Sequence, residues 1–123
     1  MKPLLLLLAA WVTTAMSVHA QDAVTADPKH YKVEFENEQV RVLRISYGPG
    51  EKSVMHEHPA NLAVFLVDGQ AKFTLPDGKS QEATMKAGAT QWGDAQKHLP
   101  ENVGAKRFEL ILVELKGKAS PAK

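Results

Sequence analysis

The 123-residue chain contains no cysteine. That excludes disulfides, a thiolate metal ligand and a cysteine nucleophile, so a domain made from it must rely on its apolar core. It also lacks an excess of either charge, with 15 Lys and Arg against 14 Asp and Glu. No basic block or stripe interrupts that balance, which argues against nucleic acid as a partner. Internal repeats and low-complexity blocks are absent, and beyond residue 20 no helical period extends over ten residues. Long apolar runs are missing too, except for one at the N-terminus.

That run has the form of a secretory leader: Lys2, apolar residues from Leu4 to Val12, then Val18-His19-Ala20. Thr13, Thr14 and Ser17 break it, so it falls short of the ~20 apolar residues that a spanning helix needs. Residues 1–20 therefore read as a signal peptide cut after Ala20, which makes the mature protein periplasmic or secreted, with no stable membrane anchor. The mature chain would be 123 less 20, or 103 residues, enough for one domain with one core. Losing Lys2 brings the 15 basic residues down to the 14 acidic ones, for a net charge of zero with neutral histidines.

What remains is a succession of short strands and turns. Residues 21–29 are polar, include Pro28, and read as a flexible N-terminal arm. From His30, Tyr31, Val33 and Phe35 alternate with charged residues, the period-two signal of a half-buried strand. A second strand runs from Gln39 to Tyr47, where a change of apolar phase suggests a bulge or burial on both faces. Pro59 ends a short strand from Lys52 to His58, and Leu62 to Val67 is continuously apolar. Asp68-Gly69 reads as a hairpin turn and Pro76-Asp77-Gly78 as a second turn. Ser80 to Lys86 is polar enough for an edge, whereas Lys106 to Leu115 is apolar on both faces and suits a central strand. Turns at roughly 8 to 12 residue spacing predict an all-β sandwich or barrel over residues 30–116, with a disordered tail at 117–123.

The chemistry concentrates between Gly50 and Gly69. His56 and His58 are two residues apart, so on a strand they share a face with Cα atoms about 7 Å apart, while Glu57 points the other way. Their spacing resembles the first motif of the cupin superfamily: Gly, five residues, His, one, His, three or four, Glu, six, Gly. Gly50, His56, His58 and Gly69 fall in register. The end of the second cupin motif is matched by His98 and Asn102, with Gly93 where Pro is usual and Ala95 where Gly is usual. The chain is thus similar to small single-domain bacterial cupins. That resemblance implies a single-domain β-barrel of the jelly-roll type.

It further implies a metal site of His56, His58 and His98 for a divalent transition metal: Zn, Cu, Fe, Mn or Ni. The glutamate of the family motif falls at Leu62, which leaves a three-histidine set with open positions. By strand alternation, Leu62, Val64 and Leu66 are expected to line an apolar interior, joined by Gln91 and Trp92 near the second motif. His30 matches no motif position and reads as a surface histidine. Dioxygenase-type oxidation of a small molecule is the leading functional expectation, and a non-catalytic binding or sensing barrel is the alternative. An isomerase or lyase is the weakest option, for want of an evident general base. The leader lacks a twin-arginine pair, so metal would be captured outside the cytoplasm. There the affinity order favours Cu²⁺ and Zn²⁺ over Mn²⁺ and Fe²⁺. Pairing into homodimers is implied by family analogy alone.

Overall fold

The computed structural model describes residues 21–117. The expected leader and all of the expected tail except Gly117 lie outside the described residues. Ten strands and one short helix follow one another: β1 (Gln21–Asp22), α1 (Ala23–Ala26), β2 (Tyr31–Glu36), β3 (Val40–Tyr47), β4 (His56–His58), β5 (Asn61–Phe65), β6 (Gly69–Thr74), β7 (Ser80–Met85), β8 (Thr90–Gly93), β9 (Gln96–Asn102) and β10 (Phe108–Leu115). They form two five-stranded sheets, β1-β4-β9-β6-β7 and β2-β3-β10-β5-β8. All pairings are antiparallel except β1 with β4. The fold is all-β, as the turn spacing predicts.

The core lies between the sheets. Leu43, Ile45 and Tyr47 of β3 and Phe108, Leu110 and Leu112 of β10 are buried there with Ala63, Phe65, Ala71 and Met85. Each large aliphatic side chain removed from water in this way contributes about 1.5–3 kcal/mol. β10 takes the central place in its sheet and β7 an edge, in keeping with their composition.

Four local readings differ from the structure. Asp68-Gly69 is not a hairpin turn, because β5 and β6 belong to different sheets and do not pair. Asp68 instead accepts the Ala87 N–H at 2.9 Å. Gly69 is needed for close approach, since a Cβ there would lie 2.7 Å from Phe108 Cβ. The bulge sits on β2, where the register against β3 shifts between Val33 and Phe35. That shift, on an edge strand, leaves Val33 and Phe35 exposed and only Tyr31 buried.

Residues 21–29 are an ordered element, not a flexible arm. Gln21 and Asp22 pair with His56 and Glu57, Ala23 is fully buried, and Asp22 caps α1 by accepting from Val24 N and Thr25 N. The segment escapes a reading by composition because tertiary ion pairs hold it. His30 likewise is buried, not superficial. Its Nδ1 meets Asp27 at 2.6 Å and its Nε2 meets Glu51 at 3.1 Å, and its ring stacks on Tyr47 at 4.2 Å.

Candidate metal centre

His56 and His58 project from β4 and His98 from the adjacent β9, where His98 stands directly opposite His56. The sequence places them together by two rules. Strand alternation puts both β4 histidines on one face, and antiparallel pairing brings His98 onto that same face. All three are buried, their possible ligand atoms lie within 4.8 Å of one another, and the ring centroids are 4.8–5.1 Å apart. Glu57 between them is exposed, as expected.

The outward ring nitrogens are occupied. His58 Nδ1–H donates to Glu114 Oε2 at 2.6 Å, and His56 Nδ1–H donates to the Val54 carbonyl at 2.9 Å. Gln96 Nε2 lies 3.1 Å from His98 Nδ1. A half-turn of that amide presents its oxygen instead, so that Nδ1–H donates and Nε2 keeps a free lone pair. The Nε2 atoms of His56 and His98 are buried and find no hydrogen-bond partner among the described residues. Two such orphans converging on one point are costly unless something fills the gap between them.

Electrostatics agree with that reading. Burial, and then the neighbouring His58, lower His56 to about 4. Burial, followed by His58 and His56, lowers His98 to about 3. Both imidazoles are neutral at physiological pH, the form in which histidine binds a metal. The donor set therefore fits a divalent transition metal.

A carboxylate is present, but behind the ligands. Glu114 is 1% exposed. Its Oε1 receives Arg41 Nε at 2.7 Å and Nη2 at 2.6 Å, leaving Oε2 for His58. Arg41 in turn holds Asp22 through both terminal nitrogens. Glu114 thus orients a ligand, as carboxylates behind metal-bound histidines commonly do. Sequence reasoning missed it, although the signal was there: Glu114 occupies the inward phase set by Phe108, Leu110 and Leu112.

Leu62 is not an apolar wall beside the histidines. It is 38% exposed and faces outward, as do Val64 on the same strand face and Leu66 beyond the end of β5. The inward residues of β5 are Asn61, Ala63 and Phe65. The phase is off by one because β4 and β5 lie in different sheets, so alternation does not carry across Pro59-Ala60. Asn61 donates to the Pro59 carbonyl at 2.9 Å. Asn102, at the end of the second motif, pins its loop by donating to the Tyr47 and Lys106 carbonyls.

A cavity of about 440 Å³ opens beside the cluster, bordered by His58, His98, Asn61, Phe73, Gln91 and Trp92 among others. Gln91 and Trp92 therefore border it, whereas Leu62, Val64 and Leu66 do not. Tyr31 and Tyr47 close one side, with hydroxyls 2.5 Å apart, and burial first of all raises both phenols above their usual range.

Two stacked sheets enclosing three histidines define the class: the fold is that of the small single-domain cupins, a double-stranded β-helix. The solved structures it resembles include a cupin domain from Bordetella pertussis Tohama I, at 20% identity and a TM-score of 0.66. That match covers 82% of this chain and all of the other. A protein with a double-stranded β-helix domain from Klebsiella pneumoniae is 24% identical, with a TM-score of 0.58 over 73% of this chain and 78% of its own. An RmlC-like cupin family protein from Methanocaldococcus jannaschii is 22% identical, with a TM-score of 0.56 over 73% and 84% of the two chains. No protein-family model and no curated protein matches the sequence.

Proposed function

We propose that the protein is an exported, metal-dependent cupin-fold enzyme that carries out dioxygenase-type oxidation of a small molecule. The observation that carries the metal is the pair of buried, unpartnered Nε2 atoms on His56 and His98, facing a third histidine whose own Nδ1 is fixed by Glu114. When bound, a divalent transition metal on three neutral imidazoles keeps positions open for substrate and oxygen and supplies Lewis acidity. The chain's own part is to hold the three rings in their tautomers, shield the site from water and receive the substrate in the adjoining cavity. Export is supported by the leader-like residues 1–20.

The decisive measurement is metal analysis of protein recovered from the periplasm. About one equivalent of copper or zinc is expected. Copper fits the oxidation. Zinc as sole occupant would uphold the metal site but exclude the dioxygenase reading, since zinc has no redox chemistry. Iron or manganese as sole occupant would overturn the affinity argument. His56→Ala and His98→Ala should each abolish binding. Protein that stays metal-free at saturating ion, with a melting temperature indifferent to both changes, would refute the metal reading.

A second reading has its own support: the cavity is lined largely by apolar and aromatic side chains, including Phe65, Phe73, Met85 and Phe108, as a binding or sensing barrel requires. A thermal-shift screen of small molecules in chelator separates the two readings. Stabilisation that survives chelator favours the binding barrel, and loss of every hit excludes it.

A further inference from the structure

We propose that Asp22 is a positioning residue for the metal site, acting on His58 through Arg41 and Glu114. The inference rests on the metal reading above and extends it to the first strand after the expected cleavage point. β1 lies beside β4, with Gln21 opposite His56 and Asp22 opposite Glu57. From there the side-chain contacts run without a gap. Asp22 accepts from Arg41 Nη1 at 3.2 Å and from Nη2; Arg41 donates to Glu114 Oε1; Glu114 Oε2 accepts from His58 Nδ1–H. Exposure drops inward, from 38% at the Asp22 side chain to 17% at Arg41, with Glu114 and His58 both buried at 1% and 3%.

Each link has a physical purpose. A buried carboxylate needs a charged partner, and Arg41 supplies it to Glu114. Arg41 is a planar fork on a flexible stem, and one carboxylate at its edge leaves the plane free to turn. The second carboxylate, on Asp22, fixes that plane from the adjacent Nη1/Nη2 edge, sharing Nη2 with Glu114. A fixed guanidinium engages Oε1 of Glu114 and aims Oε2 at His58. The imidazole is then held with Nδ1 protonated and Nε2 toward its two neighbours. Both Glu114 oxygens are engaged, so this carboxylate orients the ligand set and does not join it.

Asp22 also caps α1, and Asp22→Asn separates the two roles. Asparagine caps a helix about as well as aspartate, yet it lacks the charge that Arg41 faces. Zinc affinity of the full chain, measured by chelator competition, should fall roughly 10- to 100-fold in Glu114→Gln, the range for a partner behind a ligand. It should fall about 3- to 10-fold in Asp22→Asn and recover in Asp22→Glu. Combining the two changes should be no worse than Glu114→Gln alone, since Asp22 acts through Glu114. In metal-free protein, Asp22→Asn should move the NMR resonance of the His58 Nδ1 proton, which lost helix capping would not do.

The proposal is overturned if Asp22→Asn leaves zinc affinity and that resonance unchanged, or if its effect multiplies onto that of Glu114→Gln. Should Glu114→Gln fail to fold, Arg41→Lys replaces it in the same cycle with the same expectation. If wild-type protein binds neither zinc nor copper, the metal reading falls, and the His58 resonance alone decides the positioning role.

Discussion

At the scale of single residues, the histidines are defined by what they lack. His56 and His98 each have one satisfied nitrogen and one orphan, and burial holds both neutral. A pH dependence follows for the metal-free protein. The two imidazoles titrate near 6.5 when unfolded and at about 4 and about 3 when folded. Above pH 6.5 neither state binds these protons and the full stability is present. As pH falls from 6.5 toward 4, the unfolded chain takes up protons that the folded one refuses, so stability declines through that window. Urea denaturation of the metal-free protein at pH 7 and pH 4.5 checks this. His98→Gln should flatten the decline, and an unchanged slope in that variant would refute the assignment.

Strand phase governs what can be read at the scale of elements. Within β4, alternation gives the right answer, and His56 and His58 face inward with Glu57 outward. Across the sheet change from β4 to β5 it fails, and Leu62, Val64 and Leu66 are assigned to the wrong face while Asn61 goes unnoticed. β10 is apolar on both faces because its outward Val113 lies in one register row with Val42, Leu62 and Trp92. Its inward row ends in Glu114, whose place in the site depends on Arg41, 73 residues away in sequence. The fold and the three histidines were legible because they rest on period and spacing. Glu114, Arg41 and Asp22 were not, because nothing local ties an ion pair to its partner.

That phase difference is testable by moving a carboxylate. Leu62→Glu restores the motif's glutamate in sequence but places it in solvent. It should leave zinc affinity within about twofold and cost about 1 kcal/mol of stability, for the apolar cross-strand contacts with Val113 and Trp92 that it loses. Asn61→Glu places the carboxylate inward, in register with buried Glu114. Two buried like charges should destabilise the metal-free protein, and added zinc should restore much of the loss. Chemical denaturation with and without zinc reads both outcomes, and a tighter zinc complex in Leu62→Glu would contradict the assignment of β5.

For the molecule as a whole, the site is a joint between sheets. One sheet supplies all three candidate ligands, from β4 and β9; the other supplies Glu114 from β10, Arg41 and Tyr47 from β3 and Tyr31 from β2. The three candidate ligands share one sheet, but the carboxylate that orients His58 and the side chains that bury the site come from the other. Metal should therefore bind the native state far better than any state in which the sheets part. Free metal at 100 times its dissociation constant then adds about 2.7 kcal/mol to stability. In a domain near 100 residues each kcal/mol raises Tm by roughly 4–8 °C, so zinc should raise it on the order of 10 °C. The rise should be smaller in Asp22→Asn at the same free zinc and absent in His56→Ala. A comparable rise in His56→Ala would mean that zinc stabilises the protein elsewhere and that the joint between the sheets is held by the core and the Glu114 network alone.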